Sequence, residues 1–314
     1  MEYRPLGKTG LTVSAISFGA GPVAALMTGS ADAGGQQDAV RRAVGLGINW
    51  FDTAATYGDG SSESSLGVAL HNVDPDAKLY VATKARLMPE DLCDIAGSIR
   101  KSVEASLARL RVRRVTLLQL HNSITRSRGD LHTSITPADV LGKGGVMEAF
   151  ERLRAEKLVR HIGLTGIGDR NSLREVVGSE AFETVQTPFN VLSEANGDDG
   201  ADIITQCAGL GMGVFAIRIF AGGALAGQPP SAHTRKTRFF PLDLYQRDTA
   251  LAAQMAALLP PDVSLKEAAV RSVLSRQEVS SALVGFSAAD QIDEVDRFAA
   301  KGDLPSHLLE TLGA

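Results

Sequence analysis

Four side chains whose chemistry suits proton transfer lie at or just beyond the ends of three short apolar segments. Lys84 ends one such segment and Asp52 another, and Tyr57 follows Asp52 closely along the chain. An unperturbed phenol has a pKa of about 10, too high for efficient proton donation at neutral pH, but an adjacent ammonium group stabilises the phenolate. Lys84 is the obvious source of that ammonium, and Asp52 can pair with it. His121, the fourth residue, can donate a hydrogen bond to a carbonyl oxygen and orient it.

Each of these residues alone has an ordinary structural explanation, such as a helix cap, a solvated lysine or a histidine satisfied by the backbone. Together they follow three successive predicted strands. They therefore predict a site that gives a proton to a carbonyl oxygen during reduction or, in reverse, takes one from an alcohol. A second chemistry stays open, because Lys84 could instead act as the Schiff-base nucleophile of a lyase or aldolase.

The rest of the chain alternates between strand-like and helix-like segments. Eight short apolar segments are predicted to be strands, at residues 15–19, 48–52, 79–84, 115–120, 160–165, 182–187, 213–218 and 281–286. Segments with apolar residues three and four positions apart accompany them. These are predicted to be helices, at residues 35–46, 62–71, 90–110, 145–156, 170–178, 198–210, 264–275 and 288–300.

This alternation predicts an α/β fold, a (β/α)8 TIM barrel formed as a single domain over residues 1–314. Strands that are apolar throughout favour a parallel sheet buried on both faces, and eight strands close a barrel. A doubly wound open sheet is the alternative, but the first predicted strand leads into FGAGPVAALMTG, which lacks the GxGxxG spacing of a dinucleotide fingerprint. The N-terminal YRPLGKTGLTVS is predicted to form a β-hairpin that closes the bottom of the barrel.

Two long connections, residues 122–144 and 219–246, follow the fourth and seventh predicted strands. Both leave the carboxyl ends of strands, the face on which barrel active sites are built. Long loops at that face are commonly lids over a binding site.

The composition excludes several classes of protein. The formal net charge is −4, which gives no field to attract nucleic acid or an anionic membrane. Two cysteines, Cys93 and Cys207, are too few for a disulfide framework and lack metal-ligand spacing, so no metal site is predicted. Without an N-terminal signal or an apolar segment long enough to cross a bilayer, we expect a cytoplasmic protein.

Four motifs resemble those of the aldo-keto reductases, NAD(P)-dependent oxidoreductases built on (β/α) barrels. GINWFDTAATYG at 47–58 is followed by SSESSLG at 61–67, VATK at 81–84 and LLQLHN at 117–122. The resemblance extends over essentially the whole chain. It implies a general acid or base at Tyr57, tuned by Lys84 and Asp52, with His121 orienting the substrate.

The resemblance also implies a nicotinamide cofactor at the mouth of the barrel, held without a Rossmann fingerprint. This chain departs from the commonest family pattern in having Thr165-Gly166 where many relatives have a Ser-Asn pair for the carboxamide. It also carries Arg218, which could contact the pyrophosphate, lie against the nicotinamide, or form only an exposed salt bridge. The residues expected by position to line the cofactor are Gly19, Ala20, Thr165, Gln186, Asn190, Arg218, Phe220, Gly222, Leu225, Gly285, Ser287, Gln291 and Glu294.

The segment after the eighth predicted strand favours NAD(H), or use of both cofactors, over a strict requirement for NADP(H). A 2′-phosphate is best held by Arg or Lys, and residues 286–289 (FSAA) offer neither. Asp290 and Glu294 would oppose additional negative charge.

GLTG at 163–166, IRIFAGGAL at 217–225 and ALVGFS at 282–287 are most similar to the branch that contains aldose, galactose-type and pyridoxal dehydrogenases. The resemblance implies a small polar aldehyde, sugar or lactol as substrate. A cofactor-binding regulatory protein with little turnover is the remaining alternative, and the natural substrate and oligomeric state stay open. Candidate substrate-pocket residues are Trp50, Phe51, Asn122, Arg126, Arg128 and Phe220, of which Trp50 and Phe51 could equally belong to the core.

Overall fold

The chain begins with a small antiparallel hairpin. The computed structural model describes residues 1–29, 32–73, 76–195 and 200–312. Strands β1 (Tyr3–Pro5) and β2 (Thr12–Ser14) pair with each other. Between them, Leu6 and Leu11 pack with Trp50 and Phe215 in one buried cluster. The hairpin therefore closes the amino-terminal end of the barrel, as the sequence predicts.

Eight parallel strands follow and close into a barrel. Each pairs with the next along the chain, and the last pairs with the first. The (β/α)8 prediction is confirmed, and the open-sheet alternative is wrong. The barrel strands are β3 (Ile16–Gly19), β4 (Trp50–Asp52), β5 (Tyr80–Ala85), β6 (Val115–Leu120), β7 (Val159–Thr165), β8 (Thr184–Pro188), β9 (Gly213–Ile217) and β10 (Ser281–Gly285).

The described residues form twelve α-helices, which include a counterpart of each predicted helix. Residues 198 and 199 of one predicted helix lie outside the described residues. The helices are α1 (Ala33–Gly45), α2 (Ser61–His71), α3 (Ile95–Leu110), α4 (Pro137–Leu141), α5 (Val146–Ala155), α6 (Arg170–Gly178), α7 (Val191–Ala195), α8 (Gly200–Gly209), α9 (Leu242–Ala256), α10 (Leu265–Ser275), α11 (Asp290–Ala299) and α12 (Ser306–Leu312). None of those described is both long and apolar enough to cross a membrane.

The predicted helix 90–110 begins later than its apolar spacing indicates. Residues Pro89–Cys93 form a short 3-10 turn, and α3 starts only at Ile95. The Asp94 carboxylate accepts a hydrogen bond from the Gly97 amide at 3.0 Å and so caps the helix. A carboxylate at this position satisfies an amide that the first helical turn leaves without a partner.

The two long connections are partly helical. Helix α4 interrupts the first, where Thr136 caps the helix and Pro137 occupies its first turn. In the second, residues 219–241 cross the mouth of the barrel before α9 begins. Helix α9 is amphipathic, and it buries Tyr245, Ala252 and Met255 against the structure beneath it. Both connections leave the carboxyl ends of barrel strands, so they surround a single opening.

Candidate active site

A buried ion pair lies at the carboxyl ends of β4 and β5. Asp52 and Lys84 are 1% and 2% exposed, and Lys84 Nζ contacts Asp52 Oδ1. The same ammonium donates to the Thr53 carbonyl oxygen at 2.9 Å and to the Tyr57 hydroxyl at 3.3 Å. One cation therefore connects the buried carboxylate with the phenol.

The surroundings of Lys84 keep it protonated. Burial alone would lower the pKa of Lys84, but the charge of Asp52 and the hydrogen bonds to Asp52 and Tyr57 outweigh burial and raise that pKa above its ordinary value. Two amides hold the other carboxylate oxygen, Asp52 Oδ2. Gln186 Nε2 donates to it at 2.6 Å and Gln119 Nε2 at 3.3 Å. The pair is thus satisfied on every side, as a buried charge requires.

Tyr57 lies on a tight turn between β4 and α2. Gly58, Asp59 and Gly60 all have positive φ angles, of 56°, 51° and 90°. A Cβ atom at position 58 would lie 2.2 Å from Ser61 Oγ and 3.1 Å from Thr28 Cβ, so the limited space and the positive φ both favour glycine there. The turn brings the phenol back over the end of the barrel, where Lys84 can reach it.

His121 faces Tyr57 from the end of β6. The two rings meet edge to face, with centroids 5.5 Å apart and planes at 81°. Burial, together with the nearby charges of Arg86 and Lys84, lowers the pKa of His121 well below its usual range. The imidazole is therefore neutral at physiological pH and has one N–H group available to donate.

Three of these four side chains, all but Lys84, line a cavity of about 820 Å³ at the mouth of the barrel. That volume lies within the range of ligand and cofactor pockets. Tyr57, His121 and Asp52 are at its base, and residues of both long connections form its walls. Most of the residues that the resemblance implies for cofactor binding also line it: Gly19, Thr165, Gln186, Arg218, Phe220, Gly222, Gly285, Ser287, Gln291 and Glu294.

The family model for the aldo/keto reductase family matches residues 15–308. The chain belongs to the aldo/keto reductase family. It is 30% identical over 300 residues to L-galactose dehydrogenase of Arabidopsis thaliana, covering 94% of this chain and 86% of that protein. It is 28% identical over 319 residues to D-threo-aldose 1-dehydrogenase of Pseudomonas sp, covering 93% and 91%. Its fold is similar to that of the holo form of an aldo-keto reductase from Bacillus halodurans, with a TM-score of 0.74 at 22% identity over 99% of this chain and 95% of that one.

Family membership makes this protein an oxidoreductase that acts on a carbonyl or an alcohol, in a family that generally uses NAD(P)H. The resemblance stated from the four motifs is confirmed. The catalytic set predicted from the strand ends is also brought together in space, since Tyr57, Lys84 and Asp52 are in direct contact and His121 faces the phenol.

Three residues predicted to line the cofactor of this aldo-keto reductase lie outside the cavity. Ala20 is buried, and its amide donates to the Asp52 carbonyl oxygen at 2.8 Å, which ties β3 to β4. Leu225 is 1% exposed and packs beneath α9. Asn190 donates to the Arg218 carbonyl oxygen at 3.0 Å and so positions the loop after β9. All three residues lie behind the cavity wall and stabilise the segments that form it.

The three substrate-pocket residues Trp50, Asn122 and Arg126 also lie elsewhere. Trp50 is fully buried at the hairpin end of the barrel. Asn122 is fully buried, and it exchanges hydrogen bonds of 2.9 and 2.8 Å with the Leu87 backbone. Arg126 is mostly exposed and pairs with Asp169 at 3.1 Å. Their predicted contact with substrate is corrected to a core, a loop-anchoring and a surface role.

The remaining pocket candidates divide in the same way. Phe51 is fully buried in the main core, and Arg128 pairs with Asp139. Phe220, in contrast, does line the cavity. A side chain near a strand end can point into the barrel, into the helix layer or towards the mouth, and residue type alone does not choose among them.

Arg218 lies in the cavity wall in the left-handed conformation, with φ of 59°. Its guanidinium donates to Asp248 Oδ2 at 3.1 Å and lies 4.1 Å from the centre of the Phe240 ring. The side chain is mostly buried, so Arg218 forms a buried salt bridge with Asp248 and not the exposed salt bridge considered from the sequence. Arg218 thereby fixes the loop after β9 against α9.

Sequence reasoning missed three functional candidates. Gln119, a polar residue within an otherwise apolar strand, helps to hold the Asp52 carboxylate. Arg86, two residues after Lys84, lines the cavity beside His121. Lys266 of α10 also lines it and contacts Glu294 of α11. The polar residue in VTLLQL was a readable signal, whereas Lys266 reaches the site only through the packing of two helices.

Proposed function

We propose that this protein interconverts the carbonyl and alcohol forms of a small polar aldehyde, sugar or lactol, with a nicotinamide cofactor and with Tyr57 as general acid and base. The contact of 3.3 Å between Lys84 Nζ and the Tyr57 hydroxyl carries the proposal. A protonated amine at that distance stabilises the phenolate that forms when Tyr57 gives up its proton.

In reduction, Tyr57 donates its hydroxyl proton to the substrate oxygen, and in oxidation it takes the proton back. Lys84 stays charged throughout because Asp52 remains paired with it. The neutral His121 donates a hydrogen bond to the substrate oxygen, which fixes the carbonyl beside the phenol. A nicotinamide held in the cavity would supply or accept the hydride.

The cavity suits a dinucleotide in both size and lining. Gly19 and Gly285 lie in its wall, where a Cβ atom would come within 3.1 Å of the Val284 carbonyl oxygen and 3.2 Å of Ala24 Cβ, respectively. Gly222, with φ of 73°, allows the tight turn after β9. These glycines, together with Arg218 and Ser287, are the residues that we assign to the cofactor.

For the choice of cofactor we propose NAD(H) or dual use. Lys266 is a cation close to the segment expected to hold the adenosine end, but it is already in contact with the Glu294 carboxylate. A 2′-phosphate at this position would have to compete with Glu294 for Lys266, and it would be repelled by the same carboxylate.

The lyase alternative is disfavoured by the state of Lys84. A Schiff-base nucleophile must be an unprotonated amine, whereas the pair with Asp52 raises the pKa of Lys84. We further propose that residues 1–314 act as one barrel domain in the cytoplasm, on a small-molecule substrate and without a nucleic-acid or membrane partner. Two unpaired cysteines, Cys93 and Cys207, and a net charge of −4 support this.

The test is a panel of neutral aldehydes, aldoses and their lactols, assayed by nicotinamide absorbance with NADH, NADPH, NAD⁺ and NADP⁺ in parallel. We expect turnover of at least one class of polar substrate, with NAD(H) used at least as well as NADP(H). Cofactor binding by fluorescence without turnover of any substrate would instead support the regulatory alternative. Tenfold tighter binding of NADPH than of NADH would contradict the proposed cofactor.

A further inference from the structure

Arg86 brings a second, partly buried cation to the cavity, one that the proton-transfer mechanism does not use. It lies just beyond β5, two residues after Lys84, and lines the same cavity as Tyr57 and His121. Its Nη2 is 3.5 Å from the His121 carbonyl oxygen, and its guanidinium carbon lies 4.3 Å from the centre of the Phe239 ring. The guanidinium therefore lies over the Phe239 ring in a cation–π contact.

The hydrogen-bonding capacity of Arg86 is largely unused. Its Nε is buried and has no hydrogen-bond partner among the described residues. Within the same part of the chain, no carboxylate lies within 4.0 Å of the guanidinium. Burial without such a partner lowers the pKa of Arg86. A buried donor without a partner costs free energy, and a bound anion would supply the missing partner.

The position of Arg86 assigns it to the substrate rather than to the cofactor phosphates. It follows β5, and in the closed eight-stranded barrel β5 lies opposite β9. The loops after β9 and β10 supply most of the residues assigned to the cofactor, including Arg218 and Ser287. His121 and Tyr57, which act on the substrate oxygen, lie on the same side as Arg86.

The charges around the cavity do not oppose an anion near Arg86. Two carboxylates line it, those of Asp52 and Glu294. Each is already paired with a lysine, Asp52 with Lys84 and Glu294 with Lys266. A bound anion would therefore meet the positive field of Arg86 without an unpaired carboxylate among the described lining residues.

We propose that Arg86 selects a substrate that carries a carboxylate in addition to its reacting carbonyl or alcohol, namely a sugar acid or an oxo acid. A planar guanidinium presents parallel N–H groups that match the two oxygens of a carboxylate. Its location beside His121 places the carboxylate at the substrate side of the proton-transfer site. This inference rests on the proposed oxidoreductase function and narrows its substrate class.

The test compares matched probes that differ in charge. D-Galacturonate and D-galactose are compared in oxidation, and succinic semialdehyde and butanal in reduction, each by kcat/KM with its preferred cofactor. Wild type is compared with Arg86→Gln and Arg86→Lys. Arg126→Gln is the matched control, because it makes the same change at a surface arginine that pairs with Asp169 and does not line the cavity.

We expect the wild type to prefer the charged member of at least one pair. Arg86→Gln should reduce the charged-to-neutral ratio by roughly 10- to 100-fold, the range for a hydrogen-bonded charged pair. Arg86→Lys should retain part of the preference, since it keeps the positive charge but loses the paired N–H donors of the guanidinium. Arg126→Gln should keep a ratio close to that of the wild type.

Two results would overturn the assignment of Arg86 while leaving the oxidoreductase proposal intact. One is a wild-type preference for the neutral probe in both pairs. The other is an equal fall in kcat/KM for charged and neutral probes in Arg86→Gln. Binding is measured separately by isothermal titration calorimetry with galacturonate and galactose, so the assignment can be judged without turnover. If no probe is turned over but galacturonate binds in an Arg86-dependent manner, the anion site stands and the proposed reaction fails. If no probe is turned over and galacturonate binding does not depend on Arg86, both fail.

Discussion

At the scale of single residues, the site depends on one ammonium with two neighbours of different character. Asp52 keeps Lys84 charged, and Lys84 in turn makes proton loss from Tyr57 easier. The carboxylate needs no contact with the substrate to matter, because its effect passes through Lys84. The three residues should therefore respond differently to substitution.

Tyr57→Phe removes only the hydroxyl that exchanges the proton. We expect kcat to fall by about 10²- to 10⁴-fold, the usual contribution of general acid or base catalysis. Cofactor affinity, measured by quenching of protein fluorescence, should stay within about threefold because the ring is retained and Lys84 remains paired with Asp52. A parallel loss of turnover and cofactor affinity would show that Tyr57 supports the structure of the pocket instead.

Lys84→Met tests how much the ion pair matters for folding. The change leaves the Asp52 carboxylate buried without its cation, and we expect the free energy of unfolding in urea to fall by about 3–5 kcal/mol. The double variant Asp52→Asn with Lys84→Met removes both charges and should recover part of that loss. Equal destabilisation in the single and double variants would contradict a specific penalty for the unpaired charge.

His121 should make folding less favourable at mildly acidic pH. An unfolded chain binds a proton on this residue near its ordinary pKa of about 6.5, whereas the folded state does so only at a much lower pH. The unfolded state therefore holds more protons in that window, so stability decreases as the pH falls below about 6.5. We expect His121→Gln to lose less stability than the wild type between about pH 7 and pH 5, measured by urea denaturation. Identical pH dependence would mean that the folded-state pKa is not lowered.

At the scale of elements, the sequence predicts the barrel strands well because each is a short apolar segment that must be buried on both faces. The proton-transfer residues could be predicted with them, since they end consecutive strands. Trp50 shows where this reasoning stops. Trp50 and Asp52 are two residues apart in β4 and so point to the same face, but Trp50 fills the lower barrel beside Phe215 while Asp52 reaches the mouth.

Helix α9 and the ion pair between α10 and α11 could not be predicted either, because the local sequence gives no clear signal for them. Helix α9 begins within a connection rich in turn residues, and its buried face includes the charged Asp248 beside Tyr245, Ala252 and Met255, so its apolar face is weakly marked. Lys266 and Glu294 are separated by 28 residues and meet only because two helices pack side by side. Side chains that meet through packing leave no local signature in the chain.

That contact between helices gives a prediction about cofactor preference. Glu294→Gln should free Lys266 to bind a 2′-phosphate and remove a nearby negative charge. We expect the ratio of kcat/KM for NADPH to that for NADH to rise by about tenfold, the scale of one charged hydrogen bond. The double variant Glu294→Gln with Lys266→Met should return the ratio towards its original value. An unchanged ratio in the single variant would place the 2′ position away from Lys266.

At the scale of the whole molecule, the barrel separates chemistry from stability. The proton-transfer set and the cavity lie at the carboxyl ends of the strands, whereas the hairpin and Trp50 close the opposite end. Residues at the two ends share the same strands but not the same contacts. Substitutions at the hairpin end should therefore change stability without changing the reaction.

Leu6→Ala tests this separation. Leu6 is fully buried between the hairpin and the barrel floor, so removing its side chain leaves a cavity and should cost about 2–5 kcal/mol of unfolding free energy. We expect kcat/KM at a temperature where the variant is folded to stay within about twofold, because neither Leu6 nor its neighbours reach the active-site cavity. Leu258→Ala, at a position 54% exposed, serves as the control and should change stability by less than about 0.5 kcal/mol. A loss of activity in folded Leu6→Ala would show instead that packing at the hairpin end controls the geometry of Asp52 and Lys84 through the strands that the two ends share.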